Sequence, residues 1–324
     1  MEEYIHQRLD LTGFHNRILE VRRSISDIVV GQEMAIDMLL TAVLADGHVL
    51  LEGVPGVAKT LLARLMAKLI DARFSRLQFT PDLMPSDVLG TSVFNMSRSE
   101  FEFHPGPVFS DIVLVDEINR APAKTQAALF EVMEERQATV DGVTYPMEPL
   151  FTVFATQNPV EQEGTYRLPE AQLDRFLMKV VMWYPSPEKE VLVLKRHHQN
   201  AKLTSLDDVR PVLSKDDLLE FRQLMSSVVA DDSLLQYIVN VVQLTRSSKA
   251  VYLGASPRAA VALLKASKAF ALLQGRDFIT PGDIKTVAPS VLQHRLMLTA
   301  EAEMEGYNAS RLIDTFLQQV EVPK

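Results

Sequence analysis

A strand-like run, His48 to Glu52, leads into Gly53-Val54-Pro55-Gly56-Val57-Ala58-Lys59-Thr60, and a helical stretch, Leu61 to Ile70, follows at once. Strand, glycine-bearing loop and helix in that order commit the neighbouring chain to a layered α/β fold. The loop can cradle phosphate only where a buried strand delivers its amides to a helix N-terminus. In that context Lys59 reaches the β- and γ-phosphates of a nucleotide and the Thr60 hydroxyl is placed for Mg²⁺. Ala58 stands where glycine usually precedes the lysine, a replacement that helical dihedrals at residue 58 would accommodate.

The rest of the first half agrees with that commitment. Apolar β-rich runs at Phe74 to Phe79, Asp111 to Val115, Phe151 to Thr156 and Phe176 to Met182 alternate with helical stretches, the pattern of a mostly parallel sheet between two helical layers. Ile112-Val113-Leu114-Val115 is apolar throughout, as a strand buried on both faces must be. Two further segments read as hairpins. Asp141-Gly142, a type I′ turn signal, sits inside Gln137 to Met147, and a polar Asn95 to Glu100 tip is flanked by Val93, Phe94, Phe101 and Phe103. Tyr184-Pro185-Ser186-Pro187 ends the alternation, and beyond it the spacing is helical, as in Ala259, Leu263, Ala266 and Phe270. The expected division is an α/β domain over 1–184, opened by a helix from Arg8 to Arg23, and a smaller helical domain over 185–324.

With 324 residues the chain has room for one large and one smaller domain, at roughly 100 to 200 residues each. Its apolar runs fall far short of the roughly 20 residues of a membrane span, and the acidic start Met1-Glu2-Glu3 lacks the basic and apolar character of a secretory signal. A cytoplasmic location is expected, in keeping with the absence of cysteine. No histidine spacing suggests a metal site. Residues 1–184 carry 16 basic against 26 acidic residues while the remainder is near neutral, a poor start for non-specific nucleic-acid binding.

Asp116-Glu117 follows the apolar strand directly, at the strand end where open α/β sheets hold ligands. Such a pair can divide the work of hydrolysis, Asp116 holding Mg²⁺ and Glu117 orienting and deprotonating water. Asn158 ends the next strand, where an amide can sense a γ-phosphate, or can simply form a turn with Pro159.

Together, Gly53 to Thr60, Val115-Asp116-Glu117-Ile118-Asn119-Arg120-Ala121-Pro122, Ala155-Thr156-Gln157-Asn158-Pro159 and Leu173-Asp174-Arg175-Phe176 resemble the MoxR family of AAA+ ATPases. The resemblance runs from Val29-Val30-Gly31-Gln32 to Ala255-Ser256-Pro257-Arg258 and takes in Phe79-Thr80-Pro81-Asp82-Leu83 and Glu161 to Tyr166. It implies a three-layer P-loop AAA+ core with a mostly parallel sheet, followed by a smaller all-α lid. It also implies that Val30, Gly31 and Gln32 line the adenine pocket, with Asn158 as sensor 1, Arg175 as arginine finger and Arg258 as sensor 2. Arg167, where family members more often carry proline, is a rival to Arg175. Ser256-Pro257 should start a helix with Arg258 in its first turn, where the macrodipole disfavours a cation unless an anion is near. The two hairpins resemble the helix-2 insert and pre-sensor-1 hairpin of the branch shared with magnesium chelatase motors and MCM-type helicases.

The function implied is that of an ATP- and Mg²⁺-dependent homo-oligomer, a hexameric ring, remodelling partner proteins that include von Willebrand factor A domains, with a chaperone-like part in complex maturation or metal-cofactor insertion. Two competing readings are a nucleic-acid motor, disfavoured by the acidic first half, and a nucleotide switch without turnover, disfavoured by Glu117.

Overall fold

The computed structural model describes residues 10–158, 166, 168–198 and 206–323. The first half runs α1 (Thr12–Ser26), α2 (Glu33–Leu44), β1 (Val49–Gly53), α3 (Lys59–Leu69), β2 (Phe74–Gln78), α4 (Pro85–Leu89), β3 (Gly90–Asn95), β4 (Glu100–Pro105), β5 (Ile112–Asp116), α5 (Ala123–Glu135), β6 (Gln137–Val140), β7 (Val143–Pro146), β8 (Thr152–Gln157), α6 (Glu170–Leu173) and β9 (Met178–Met182). The second half runs α7 (Pro187–His198), α8 (Lys215–Leu224), α9 (Asp232–Ser247), β10 (Val251–Leu253), α10 (Pro257–Leu273), α11 (Pro281–Leu292), β11 (Met297–Leu298), α12 (Ala300–Met304) and α13 (Ala309–Gln319).

Five strands form a parallel sheet in the order β2-β5-β8-β1-β9. Alternate residues serve opposite cores. Val49 and Leu51 of β1, Ile112 and Leu114 of β5 and Phe154 of β8 join one cluster, and Leu50, Val113, Val115, Val153 and Ala155 join the other. Burial on both faces is why β1 is apolar from Val49 to Leu51 and β5 from Ile112 to Val115, and each such side chain contributes about 1.5–3 kcal/mol.

The first cluster does not stop at the α/β layer. It continues through α2, which is buried along nearly its whole length, into α8, α9, α10, α11 and α13. Ala259, Leu263, Ala266 and Phe270, the face expected from helical spacing, are buried in it. Ser214 and Thr280 accept from the amides of Asp217 and Asp283, whose carboxylates bond back to the cap residues, so reciprocal capping fixes the starts of α8 and α11. Among the described residues the lid is helical apart from a short antiparallel ribbon, β10 with β11, and an isolated parallel bridge between Val229 and Phe278.

The first helix starts at Thr12, later than the sequence pattern suggests, and runs to Ser26; residues 1–9 lie outside the described residues. Its buried stripe Phe14, Ile18, Val21, Ile25 seats it on the body, with Phe14 edge-on to Phe221 of α8 at 4.5 Å. The hairpins β3-β4 and β6-β7 pack on each other through Phe103 and Tyr145, whose rings stack at 4.0 Å. Asp141 and Gly142 both take positive φ, 51° and 80°, as a type I′ turn requires. Met96 and Phe101 remain 87% and 73% exposed on the first hairpin, the apolar exposure that its sequence made expensive.

Candidate nucleotide-binding site

The ends of β1, β5 and β8 bring three sequence motifs to one edge of the sheet. β1 delivers the loop Gly53 to Ala58, and α3 begins at Lys59 with Thr60 in its first turn. The Lys59 Nζ donates to the Gly53 carbonyl at 2.5 Å, which folds the ammonium back across the loop. Residue 58 overturns the expectation of helical dihedrals. Ala58 has φ 67° and ψ 24°, in the left-handed region, because the chain must reverse its twist as it passes from loop to helix. A Cβ in that region costs roughly 1–2 kcal/mol that glycine would not incur.

Asp116 ends β5 and is 7% exposed. Its Oδ1 accepts from the Thr156 hydroxyl at 3.1 Å, and its Oδ2 accepts from the Arg76 Nε at 2.6 Å. Glu117 is also left-handed, with φ 55°, and its amide donates to the same Thr156 hydroxyl at 3.0 Å. One hydroxyl of β8 thus ties the two carboxylate residues to the neighbouring strand. The Glu117 carboxylate accepts from Gln78 Nε2 at 2.9 Å and pairs with Arg120 at 3.1 Å. Asn158 follows β8 directly, and β8 lies between β5 and β1, so this residue follows the strand between those that lead to the carboxylate pair and the phosphate loop.

A cleft of about 740 Å³ adjoins the loop, walled by Val29, Val30, Gln32, Val57, Ala58 and Leu61 and, from α7, by Val193 and Leu194. Its apolar walls suit a planar base. Val30 and Gln32 reach the wall; Gly31 turns the chain between them, with φ 84°. The Gln32 side chain donates to the Trp183 carbonyl at 2.8 Å. The contribution of α7 went unread in the sequence, because Val193 and Leu194 are ordinary helix residues until the fold swings them over the loop.

Arg175 and Arg258 lie at the opposite edge. β1 and β9 pair in parallel with Val49 opposite Met178, and Arg175 precedes β9 as Gly47 and His48 precede β1. About 15 Å of strand separates this edge from the phosphate loop. Here Arg175 Nε donates to Glu134 Oε2 at 2.5 Å, and Arg258 Nη2 donates to Glu134 Oε1 at 2.9 Å. One carboxylate of α5 therefore holds both arginines, and they in turn, Arg175 foremost, hold the Glu134 carboxyl below its ordinary range. Ser256 does cap α10 by position, with Pro257 first and Arg258 second, but its hydroxyl turns toward Asp174 Oδ2 at 3.5 Å instead of an amide. Within one chain Arg258 does not join the phosphate loop. Arg167 lies outside the described residues, as do 159–165.

A parallel sheet with a glycine-bearing loop of P-loop sequence, a terminal acidic pair and an asparagine at one edge, followed by a helical lid, defines the P-loop AAA+ class. Residues 48–178 match the family described as "ATPase family associated with various cellular activities (AAA)", and residues 243–316 match the AAA lid domain. The chain is 50% identical over 299 residues to the protein YeaC of Bacillus subtilis, covering 92% of each. It is 43% identical to Chaperone MoxR1 of Mycobacterium tuberculosis, over 95% of this chain and 81% of that one, and 33% identical to Protein MoxR of Methylorubrum extorquens, over 91% of each. A crystal structure of a candidate ATPase from Cytophaga hutchinsonii superposes with a TM-score of 0.88 at 44% identity, covering 97% of both chains. The chain belongs to the MoxR family of AAA+ ATPases. No helix among the described residues is long and apolar enough to cross a membrane.

Proposed function

We propose that the chain hydrolyses ATP at the edge formed by β1, β5 and β8, and that a ring of identical subunits, a hexamer, completes each site. The observation that carries this reading is the convergence of Lys59, Asp116, Glu117 and Asn158 at three adjacent strand ends, beside an apolar cleft. Val30, Gly31 and Gln32 would frame the base, and Gly53 to Thr60 the phosphates.

The donor set fits a Mg²⁺ held mainly by phosphate oxygens and water, since it offers one hydroxyl, Thr60, and one buried carboxylate, Asp116. Held there by Thr60 and Asp116, the ion would supply positive charge against the phosphates. Lys59 adds positive charge at the same oxygens. Glu117, oriented by its bonds to Gln78 and Arg120, accepts a proton as the water oxygen bonds to the γ-phosphorus and the bridge to ADP breaks. Asn158 orients the water or the γ-phosphate. Arg175 and Arg258, at the far edge of their own sheet, would serve the nucleotide of an adjoining subunit.

Family membership supports a chaperone-like role in assembling or maturing protein complexes, including metal-cofactor insertion, with von Willebrand factor A domain proteins as clients, in the cytoplasm. The units 1–184 and 185–324 would be the moving parts. Glu117→Gln should still bind ATP while turnover falls by about 10²- to 10⁴-fold, and the trapped variant should retain clients in pull-downs. Hydrolysis at the wild-type rate by Glu117→Gln would remove Glu117 from the reaction.

A further inference from the structure

Arg295 ends a 3-10 turn, Gln293 to Arg295, directly after α11, and its side chain is 4% exposed. Among the described residues, all but one of its hydrogen bonds go to the segment that carries Arg175. Its Nε donates to Asp174 Oδ1 at 2.7 Å, its Nη2 to the Phe176 carbonyl at 2.7 Å and the Asp174 carbonyl at 3.2 Å, and its Nη1 to the Leu177 carbonyl at 3.1 Å. The remaining contact returns to the Val291 carbonyl of α11. The two preceding residues act in the same direction: His294 Nε2 bonds to the Phe176 carbonyl at 3.0 Å and Gln293 Nε2 donates to the Lys179 carbonyl at 2.7 Å.

A buried guanidinium needs a carboxylate, and Asp174 supplies one. That requirement does not explain bonds to three backbone carbonyls on both sides of Arg175. Such a set immobilises the main chain at Arg175 while leaving its side chain at the surface, against Glu134 and the Phe130 ring. The same lid block carries Arg258. β11, which begins two residues after Arg295, pairs with β10, and the stretch after β10 is fixed where Arg246 Nε and the Thr245 hydroxyl bond Ala255 at 2.7 and 3.0 Å.

We infer that Arg295 is a positioning residue for Arg175, joining the loop of the arginine finger to the lid so that lid displacement carries Arg175 and Arg258 together. The inference rests on the proposed action of Arg175 on a neighbouring subunit. Through it, the state of one subunit's lid sets the geometry offered to the next subunit's ATP.

Arg295→Lys keeps the charge and loses the planar fork. Its ATP turnover should fall by about ten- to a hundredfold at nearly unchanged KM, the scale of a roughly 1 Å misplacement. Mixing it with Lys59→Ala subunits should restore part of that turnover, because the first contributes an intact phosphate loop and the second an intact Arg175. Arg175→Ala mixed with Lys59→Ala is the control. If the control pair recovers but the Arg295→Lys pair does not, or if Arg295→Lys alone loses no turnover, the positioning role is overturned. If the control pair also fails, action on the neighbour falls first and the inference with it. Asp174→Asn, which weakens the same anchor with little change of shape, carries the identical test should Arg295→Lys fail to fold.

Discussion

The two edges of the central sheet are built on opposite principles. At the phosphate edge Ala58 and Glu117 are left-handed, and Lys59 turns its ammonium back onto the Gly53 carbonyl beside the carboxylates of Asp116 and Glu117. At the arginine edge Asp46 and Arg136 are left-handed as well, the chain around Arg175 is held by side-chain bonds to its carbonyls, and the cations Arg175, Arg258 and Arg295 are matched by Glu134 and Asp174 of the same chain. On the proposed reading one edge receives an anion and the other offers cations. On the proposed function they are two halves of one intersubunit site, held apart within a single chain by the length of the strands.

Arg175→Ala is the severest way to break this complementarity. If Arg175 serves a neighbour's ATP, turnover should drop by about 10³- to 10⁵-fold with little loss of nucleotide binding, and mixing with Lys59→Ala subunits should return part of it. Comparable turnover in Arg175→Ala would dissolve the distinction between the edges.

A smaller effect probes the floor of the arginine edge. His48 is buried, its Nε2 bonded to the Met133 carbonyl and its Nδ1 accepting from the Val153 amide, and burial foremost, with Arg136 adding, lowers its pKa to about 3 from 6.5. An unfolded chain takes up that proton near pH 6.5 and the folded chain only near 3, so the stabilisation is complete above 6.5 and drains away as pH falls between them. Urea unfolding should therefore show the wild type losing about 2 kcal/mol more than His48→Gln between about pH 7 and about pH 5. Parallel loss in both proteins would mean that His48 is protonated in the folded state.

The smallest effect belongs to the phosphate edge. Ala58→Gly should raise the unfolding free energy by about 1 kcal/mol, relief of the left-handed alanine exceeding the entropy that glycine adds to the unfolded chain. An unchanged or lower midpoint in denaturant would show that the loop relaxes around Ala58.

What the sequence discloses divides along the same line. The phosphate edge is legible because its chemistry is contiguous: Gly53 to Thr60 and Asp116-Glu117 each sit at the end of an apolar strand. Asp141-Gly142 likewise announces its hairpin. At the arginine edge Arg175 and Arg258 are visible only through the family resemblance, and the residues that hold them, Glu134, Asp174 and Arg295, are ordinary types spread over half the chain that meet only where α5, β9 and the lid converge. Even at the legible edge, the dihedral of Ala58 was hidden, since alanine gives no sign of a left-handed turn.

Gly31 has a consequence of a different kind. A Cβ there would stand 2.9 Å from the Pro185 Cβ and 3.3 Å from the Lys189 Cδ, in a backbone conformation already unwelcoming to side chains. The strand-to-lid junction at Pro185 is thus moulded directly onto the chain that frames the apolar cleft beside the loop. Sequence drift at either position is constrained by the other, and related chains that abandon glycine at 31 should have reshaped the residues at 185 and 189 in the same lineage.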